Sequence, residues 1–333
     1  MTRYVVTGDA GFIGFHLANA LLGGGHEVLG IDGMTDYYDV QLKRDRLAQL
    51  EKWDRFTHVT ERLEATDSVT KWIVDFAPSA VFHLAAQAGV RYSLEAPQAY
   101  LDSNVSGTFS VLEAARVAKV DHLLVASTSS VYGGNDRLPF AETDTTRAPM
   151  SLYAASKIAA EALAHSYANL WDIPTTCFRF FTVYGPWGRP DMALFKFVSA
   201  IKAGRAIDVY GQGSMRRDFT YIDDLVRSMV ALEGCRPVPG MRESSRDTVS
   251  GVAPFRIVNI GGGQPVPLMD FIEAVEESLG EVAEKNMLGM QPGDVVATES
   301  DTGLLRDLVG EVPATPIREG VRQFVEWYSD YYG

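Results

Sequence analysis

The 333-residue sequence has few cysteines, no long apolar run and a deficit of basic residues. Its two cysteines, Cys177 and Cys235, are too few for a disulfide framework and lack the histidine spacing of a metal site, so we expect free thiols, a cytoplasmic location and no metal. Because the sequence has neither a signal peptide nor about 18 consecutive apolar residues, we expect no membrane association. The formal net charge of −13 argues against nucleic acid and anionic membranes as partners.

What the sequence does contain is an alternation of short apolar runs with longer helical patterns over its first 180 residues. Strands that are separated by helices pair in parallel, because each right-handed crossover passes over one face of the sheet. We therefore predict an α/β fold with a doubly wound parallel sheet. The predicted strands lie at 4–7, 27–31, 56–59, 80–83, 122–127 and 175–180, and the predicted helices at 13–22, 40–51, 68–76, 103–118 and 152–170.

The pattern changes after about residue 180, where prolines and glycines interrupt it. We expect a first domain over residues 1–178, to which segments near 217–234 return, and a smaller, segmented C-terminal lobe mainly over 179–333. The segment 236–254 is rich in proline, glycine, serine and arginine, and we interpret it as a mobile surface loop without a functional role.

A glycine-rich motif follows the first predicted strand and opens the first helix. Gly8, Gly11 and Gly14 have the spacing that permits a tight turn, a close backbone approach to a pyrophosphate and close packing of helix on strand. Asp32 closes the second strand 18 positions after Gly14, where a carboxylate binds ribose hydroxyls and repels a 2′-phosphate. We therefore predict a Rossmann-type domain that binds NAD rather than NADP. Asp9 places an unusual acid inside the motif, and we expect its side chain to point to solvent.

A second motif pairs Tyr153 with Lys157. The two side chains share one face of a predicted helix, so a phenol and an ammonium can reach the same ligand. A nearby positive charge lowers the pKa of a phenol from about 10 toward the working range of a base. Thr128, 25 residues before Tyr153, lies at the end of a predicted strand and offers a hydroxyl to the same substrate oxygen. His83 also ends a strand, but we expect it to pack beside backbone rather than to act as a base.

These motifs resemble the nucleotide-sugar branch of the extended short-chain dehydrogenase/reductase superfamily. Four longer stretches are similar to UDP-glucuronate 4-epimerases: residues 36–40, 83–93, 179–193 and 290–294. The similarity extends over nearly the whole chain, and the stretch 179–193 is long and specific. The resemblance implies a homodimer, in which helices 103–118 and 152–170 of two subunits form a four-helix bundle.

The resemblance also implies a reaction without net redox, in which a tightly held NAD stores a hydride transiently. Tyr153 would take the proton from the sugar 4-hydroxyl with the help of Thr128, while Lys157 would orient the nicotinamide ribose and lower the pKa of the phenol. Arg217 matches the position that binds the substrate diphosphate, and Thr182 matches a substrate-contacting position. The further cofactor contacts that we expect are Phe12, Ile13, Leu84, Ala85, Ala86 and Asn104.

The substrate implied by the resemblance, UDP-glucuronate, becomes a β-keto acid when its C4 is oxidised, and such an acid loses CO₂ readily unless its carboxylate is held. Ser129, Ser130 and Thr182 offer neutral hydrogen bonds for this purpose, and Arg189 offers a charged one. Related 4,6-dehydratases and UDP-glucuronate decarboxylases carry acidic residues just after the catalytic hydroxyl, where this chain has two serines. We therefore favour epimerisation of UDP-glucuronate to UDP-galacturonate.

Other functions stay open at this point. A UDP-glucose/galactose 4-epimerase is the nearest alternative, although Gln291 stands where those enzymes commonly have an arginine. A UDP-glucuronate decarboxylase or an NDP-sugar 4,6-dehydratase is less favoured. A non-catalytic NAD-sensing protein would usually have lost Tyr153 or Lys157, and this chain keeps both. Arg91 fits either a substrate contact or a residue that orders its own loop.

Overall fold

A seven-stranded sheet forms the centre of the structure, a computed structural model that describes residues 1–291, 294–311 and 314–333. The strands are β1 (Arg3–Thr7), β2 (Glu27–Asp32), β3 (Phe56–Thr60), β4 (Ala80–His83), β5 (His122–Thr128), β6 (Thr175–Phe180), β7 (Thr182–Tyr184), β8 (Ile207–Val209), β9 (Arg216–Tyr221), β10 (Phe255–Ile260), β11 (Pro265–Pro267) and β12 (Lys285–Met287). The order in the central sheet is β10-β6-β5-β4-β1-β2-β3, and every neighbouring pair is parallel. The predicted doubly wound parallel sheet is confirmed.

The helices of the described residues lie partly against the two faces of this sheet and partly in the C-terminal lobe. They are α1 (Phe12–Gly23), α2 (Val40–Leu50), α3 (Thr66–Phe76), α4 (Tyr92–Glu95), α5 (Pro97–Tyr100), α6 (Gly107–Ala118), α7 (Leu152–Trp171), α8 (Ala193–Lys202), α9 (Ile222–Glu233), α10 (Leu268–Leu279), α11 (Gly303–Val309) and α12 (Ile317–Tyr332). One face packs against α1, α2 and α9, and the other against α3, α6 and α7. A π-helical turn, Leu101–Ser106, leads into α6, so the predicted helix 103–118 spans both segments.

Successive strand residues contribute to the two cores in turn. Val6 and Leu124 lie in the core beneath α1 and α2, whereas Val5 and Leu123 lie in the core beneath α3 and α6. All seven residues of β5 are buried. The central strands are therefore covered on both faces, which explains why they lack an alternating polar pattern.

The strand β10 joins the central sheet beside β6, and the sequence analysis missed it. Its register pairs Phe255 with Thr175. The chain reaches this edge through α9 and the irregular segment 234–254, so the simple alternation of strand and helix no longer marks the strand. Most of residues 238–246 are exposed, as expected of a surface loop. The loop is anchored at Asp247, whose carboxylate accepts two hydrogen bonds, of 2.8 and 2.9 Å, from the buried guanidinium of Arg256. Its mobility stays a prediction.

The remaining strands form two small sheets outside the central one. The first has the order β11-β9-β7, and the second pairs β8 with β12. They pack with α8, α10 and α12, which matches a segmented C-terminal lobe, although the boundary at residue 178 stays a prediction. Among the described residues, no helix has the length and apolar composition needed to cross a membrane.

The site is positioned by the order of the strands. The strand β1 lies between β2 and β4, so the chain leaves it toward one side and returns to the sheet on the other. At such a switch point the loops beyond the carboxyl ends of the strands diverge and leave a crevice. This crevice lies between the loop after β1 and the loop after β4.

Candidate active site

The loop after β1 is shaped by three glycines that no other residue could replace without collision. Gly8 has a φ of +79°, and a Cβ there would lie 2.8 Å from the backbone nitrogen of Ala85 in the loop after β4. A Cβ on Gly11 would lie 2.9 Å from the carbonyl oxygen of Gly8, and one on Gly14 would overlap that oxygen. The helix α1 begins directly after Gly11, so its free N–H groups and positive dipole end face the crevice. The loop therefore offers a cradle for a pyrophosphate.

Asp32 lies at the carboxyl end of β2 and lines the same cleft as the three glycines. Its Oδ1 accepts a hydrogen bond of 2.7 Å from the backbone N–H of Met34 and lies 3.7 Å from the ammonium of Lys43. Lys43 is itself buried and donates to Thr35. The sequence analysis missed Lys43, because nothing in the helical pattern 40–51 marks one lysine as facing the cleft.

The other predicted cofactor contacts divide into two groups. Asn104 is fully buried and holds the loop after β4: its Oδ1 accepts from the N–H of Gln87 at 2.7 Å, and its Nδ2 donates to the Gln87 carbonyl at 3.0 Å. It also donates to Ser156, next to Lys157. Asn104 therefore lies behind the residues that line the cleft. The contacts that line the cleft are Phe12, Ile13, Leu84, Ala85 and Ala86.

The expectation that Asp9 points to solvent was wrong. Its side chain is fully buried, and its Oδ2 lies 2.8 Å from Nδ1 of His58 on β3. The other ring nitrogen of His58 lies 3.0 Å from the hydroxyl of Thr60. Room for the carboxylate exists because Gly30 on the intervening strand β2 has no side chain: a Cβ there would overlap the Asp9 carboxylate. Sequence reasoning could not see this, since the space comes from a different strand.

Burial and the neighbouring charges shift both groups of this pair. Burial raises the pKa of Asp9 to about 6, although the hydrogen bond and charge of His58 act to lower it. Burial alone would lower the pKa of His58, but the hydrogen bond and charge of Asp9 raise it overall, and the charges of Asp32 and Glu51 act in the same direction. Both groups therefore hold a proton more strongly in the folded protein than in the unfolded chain.

We expect this pair to make the protein more stable as the pH falls. A group whose folded pKa lies above its unfolded value stabilises the fold below the unfolded pKa, and that contribution is lost as the pH rises through the folded pKa. For Asp9 the window runs from its ordinary value of 3.8 to about 6. Between pH 7 and 4 the free energy of unfolding should rise by up to about 3 kcal/mol more in the wild type than in Asp9→Asn.

Chemical denaturation at several pH values and a fixed NAD concentration measures this difference. Asp54→Asn, at an exposed position near the end of α2, is the matched control and should follow the wild type. Parallel pH profiles for the wild type and Asp9→Asn would contradict the prediction.

The three predicted catalytic residues line one cleft. Thr128 ends β5, and its Oγ1 accepts a hydrogen bond of 3.2 Å from the backbone N–H of Ser130. Tyr153 and Lys157 lie one turn apart at the start of α7. This helix begins where the hydroxyl of Ser151 accepts from the N–H of Ala154 and caps the first turn.

Burial governs the protonation of the two helical residues. It raises the pKa of Tyr153 above 10, while a hydrogen bond with Thr128 and the charge of Arg189 lower it. Burial also lowers the pKa of Lys157 to about 8, with Cys177 and Glu161 acting in the opposite direction. The cation that acts on the phenol here is thus Arg189, and the expected action of Lys157 on the pKa of Tyr153 stays a prediction.

His83 is a packing residue, as the sequence analysis expected. It is buried at the end of β4, where its ring nitrogens lie 2.9 Å from the Thr7 hydroxyl and 3.0 Å from the Thr108 hydroxyl. Burial lowers its pKa to about 3, and the charge of Lys157 acts in the same direction. A neutral imidazole between two hydroxyls joins β1, β4 and α6.

Arg189 lines the same cleft as the glycine loop and is held by a carboxylate. Its Nε donates to Oδ1 of Asp191 at 2.9 Å, and its Nη2 lies 2.5 Å from Oδ2. Asp191 also accepts a hydrogen bond of 3.1 Å from the hydroxyl of Tyr37. Both stretches, 36–40 and 179–193, are marked in the sequence, but the roles of Tyr37 and Asp191 were not predicted, because only the fold brings them together.

The neutral groups predicted to contact substrate lie around Thr128 and Arg189. Ser129 and Ser130 open a short 3₁₀ turn directly after β5 and are partly exposed. Thr182 begins β7 and lines a smaller cavity that it shares with Arg189.

The two remaining predicted arginines both lie near enough to Asp294 to be affected by its charge. Arg91 lies 3.5 Å from its carboxylate and 5.0 Å from the centre of the Tyr210 ring. Burial lowers the pKa of Arg217, while the charge of Asp294 raises it. Arg217 donates to the carbonyl of Val296 at 3.2 Å. These arginines form a second cluster beyond the lining of the main cleft. Two residues of the predicted stretch 290–294, at positions 292 and 293, lie outside the described residues.

Comparisons with known proteins agree with this geometry. Residues 4–236 match the model of the NAD dependent epimerase/dehydratase family. The chain belongs to this family. A probable UDP-glucuronate 4-epimerase of Rhizobium meliloti (strain 1021) is 55% identical over 333 residues, which cover 99% of this chain and 98% of the relative. Protein CapI of Staphylococcus aureus is 49% identical over 333 residues, covering 99% of each chain.

Solved structures are similar over the whole chain. The UDP-glucuronic acid 4-epimerase of Bacillus cereus, in complex with UDP-glucuronic acid and NAD, has a TM-score of 0.88 and 33% sequence identity and covers 99% of this chain and 100% of its own. The MoeE5 complex with UDP-glucuronic acid and NAD has a TM-score of 0.82 at 32% identity, covering 98% of this chain and 99% of its own. The resemblance drawn from the motifs is therefore confirmed.

The residues of this epimerase/dehydratase family member fit a bound NAD. The three glycines allow the close backbone packing that forms this loop, the helix α1 starts at the loop with its free N–H groups, and Asp32 stands at the end of the next strand for the ribose hydroxyls. The cofactor of the chain is NAD, as the sequence analysis predicted. Among the described residues no group of three or more histidines, cysteines or acidic residues could hold a metal ion.

Proposed function

We propose that this chain is an isomerase that interconverts UDP-glucuronate and UDP-galacturonate at C4. The observation that carries the proposal is one continuous cleft. Its lining includes the dinucleotide loop at Gly8, the three residues Thr128, Tyr153 and Lys157, and Arg189. A cofactor, a base for a sugar hydroxyl and a cation for a sugar carboxylate are thereby arranged along a single ligand path.

Tyr153 acts as the base in this proposal. Its phenolate takes the proton from the sugar 4-hydroxyl, and the Thr128 hydroxyl donates a hydrogen bond that steadies the developing charge on that oxygen. When bound, NAD would supply the reversible hydride acceptor that oxidation and reduction at C4 require. Lys157 binds the ribose beside the nicotinamide. After the 4-keto sugar has turned over, Tyr153 returns its proton to the new hydroxyl, so protonation states balance over the cycle.

Arg189 keeps the sugar intact during the keto stage. A carboxylate β to a ketone loses CO₂ when its C–C bond aligns with the carbonyl π system. We propose that Arg189, with the hydroxyls of Ser129, Ser130 and Thr182, holds the carboxylate out of that alignment. Asp191 already accepts from Nε and Nη2 of Arg189, so Nη1 would donate the charge-assisted hydrogen bond to the sugar carboxylate.

In this proposal Arg217 and Arg91 bind the diphosphate of the substrate. Arg91 pairs with Asp294 at 3.5 Å, and the charge of Asp294 also acts on Arg217. An incoming diphosphate would replace that carboxylate as the partner of Arg91 and accept hydrogen bonds from Arg217 as well. The stretch that carries Asp294 adjoins the part of the chain outside the described residues.

Product analysis with three substrates tests the proposed function. The protein is incubated separately with UDP-glucuronate, UDP-glucose and UDP-xylose, and the sugars are resolved by NMR. We expect UDP-galacturonate from the first and no comparable turnover of the other two. Equal rates on UDP-glucose would identify a neutral-sugar epimerase, UDP-xylose from UDP-glucuronate a decarboxylase, and a 4-keto-6-deoxy sugar a dehydratase.

We further propose that the enzyme is a homodimer paired through α6 and α7. Phe109, Val117 and Trp171 are all more than 40% exposed on these helices. Such apolar side chains gathered on one face mark a surface that a partner covers. A second copy of this chain is the occupant that the resemblance implies.

Introducing a charge at the centre of this face should separate the subunits. We expect the wild type to have twice the chain mass of 36.5 kDa in light scattering, and Phe109→Glu to shift toward the monomer. Val230→Glu, at an exposed apolar position on α9, is the control and should leave the mass unchanged. A monomeric wild type would refute the dimer.

The location that we propose is the cytoplasm. Both cysteines are free thiols, Cys177 buried and Cys235 partly buried, as suits a reducing compartment. Fractionation of the cells that produce the protein tests this location.

A further inference from the structure

Arg46 on α2 is a fully buried arginine. Its Nη1 donates to the carbonyl of Ala10 at 3.0 Å and to the hydroxyl of Tyr38 at 2.8 Å. Its Nη2 donates to the carbonyl of Trp187 at 2.5 Å and to that of Gly188 at 3.3 Å. Within residues 1–291, 294–311 and 314–333, no carboxylate forms an ion pair with it.

A buried guanidinium without a carboxylate is costly, because the charge loses its hydration and gains only neutral dipoles in return. The two segments that Arg46 joins indicate what this costly arrangement contributes to the site. Ala10 belongs to the dinucleotide loop between Gly8 and Gly11, and Gly188 directly precedes Arg189. One side chain therefore touches the backbone of both the cofactor loop and the turn that carries the proposed carboxylate-binding arginine.

The turn 186–188 is held by the cofactor half of the molecule at further points. The Nε2 atom of His16 on α1 lies 2.9 Å from the carbonyl of Pro186. Burial lowers the pKa of His16 to about 4, so the neutral ring donates this bond. Trp187 has a φ of 59°, and its ring lies 5.5 Å from that of Phe15 on α1. A tryptophan in the left-handed region persists only where its surroundings enforce it.

We infer that Arg46 is a positioning residue that fixes the dinucleotide loop and the turn before Arg189 relative to each other. The effect on the sugar rests on the proposed function. In that function, one side chain, Arg46, sets the position of the sugar carboxylate relative to the cofactor. Arginine suits this role because its rigid fork presents donors in two directions, whereas the single ammonium of lysine could serve only one of the segments.

The test compares Arg46→Met and Arg46→Lys with the wild type and with Arg44→Met, an exposed position on the same helix. Two quantities are measured: the NAD retained after gel filtration, released by heat and quantified, and the fraction of UDP-pentose among products from UDP-glucuronate. We expect both Arg46 variants to lose NAD more readily and to raise the pentose fraction about tenfold or more. An ångström-scale displacement of Arg189 also lowers kcat, by up to about 100-fold. Arg44→Met should match the wild type.

The outcomes separate this inference from simpler ones. A role in stability alone would lower the unfolding temperature and kcat but leave the pentose fraction at its wild-type value, which would overturn the inference. If Arg46→Met does not fold, Arg46→Lys decides by the same two measurements. If the wild type does not epimerise UDP-glucuronate, the proposed function fails, and NAD retention alone then decides whether Arg46 holds the dinucleotide loop.

Discussion

Tyr153→Phe is expected to lower kcat for the epimerisation of UDP-glucuronate by about 10²–10⁴-fold, the usual contribution of a positioned acid–base group. The phenol is the group that would exchange a proton with the 4-hydroxyl, and phenylalanine keeps the ring but not that proton. Substrate affinity should change little, because a single neutral hydrogen bond contributes only about 0.5–1.5 kcal/mol. Rates are measured by NMR, and affinity by calorimetry with the NAD-loaded protein.

Tyr167→Phe is the matched control, since Tyr167 lies on the same helix and its hydroxyl bonds to Glu113 away from the cleft. It should keep the wild-type rate. A Tyr153→Phe enzyme with full activity would show that another group, with Thr128 the nearest candidate, moves the proton.

Arg189→Ala is expected to release UDP-pentose from UDP-glucuronate. Without the guanidinium, the carboxylate of the 4-keto sugar can rotate into line with the carbonyl. CO₂ then departs, the resulting enolate takes a proton at C5, and reduction at C4 gives the pentose. Losing a hydrogen bond to a charged group, worth about 1.5–3 kcal/mol, should shift the partition between pentose and hexuronate by about 10–100-fold. Product analysis by NMR gives the ratio directly.

The same variant should also move the pH dependence. Because the charge of Arg189 lowers the pKa of Tyr153, its removal raises that pKa, and the rising limb of the rate profile should shift to higher pH. Arg205→Ala, at an exposed position, is the control. A variant that yields only epimerised acid would exclude Arg189 as the group that holds the carboxylate.

Asp191→Asn separates the charge of Arg189 from its orientation in the cleft. The substitution keeps the arginine but removes the carboxylate that pairs with it at 2.9 Å. The arginine is then freer to bind the sugar carboxylate but less well oriented. A pentose fraction between those of the wild type and Arg189→Ala would show that orientation by Asp191 contributes to the protection of the substrate.

The parts of the fold that were predictable are those coded by neighbouring residues. The strands β1 to β6 each combine an apolar run with an adjoining helix, and the glycine loop is specified within Gly8–Gly14. The strand β10 was missed because the irregular segment 234–254 separates it from α9, so it does not continue the alternation of strands and helices. Its place beside β6 is set by the fold and is not marked in the local pattern.

The residues of the candidate site also divide into those marked by a local motif and those that only the fold brings together. Thr128, Tyr153 and Lys157 were predictable because each is marked by a motif, and the fold needs only to align two such motifs. The burial of Asp9 depends on Gly30 in another strand. The contacts of Arg46 join loops more than 170 residues apart. Interactions of this kind depend on which backbones meet, and the sequence alone does not state that.

The position of β10 at the edge of the central sheet has a consequence for the folding of the chain during its synthesis on the ribosome. The growing chain can pair β1 to β6 early, but the free edge of β6 is not covered until Ile260 has emerged. An uncovered parallel edge is a template for association with other chains. A polypeptide that is truncated before β10 should therefore expose an aggregation-prone edge, even though it contains all of the residues that line the main cleft.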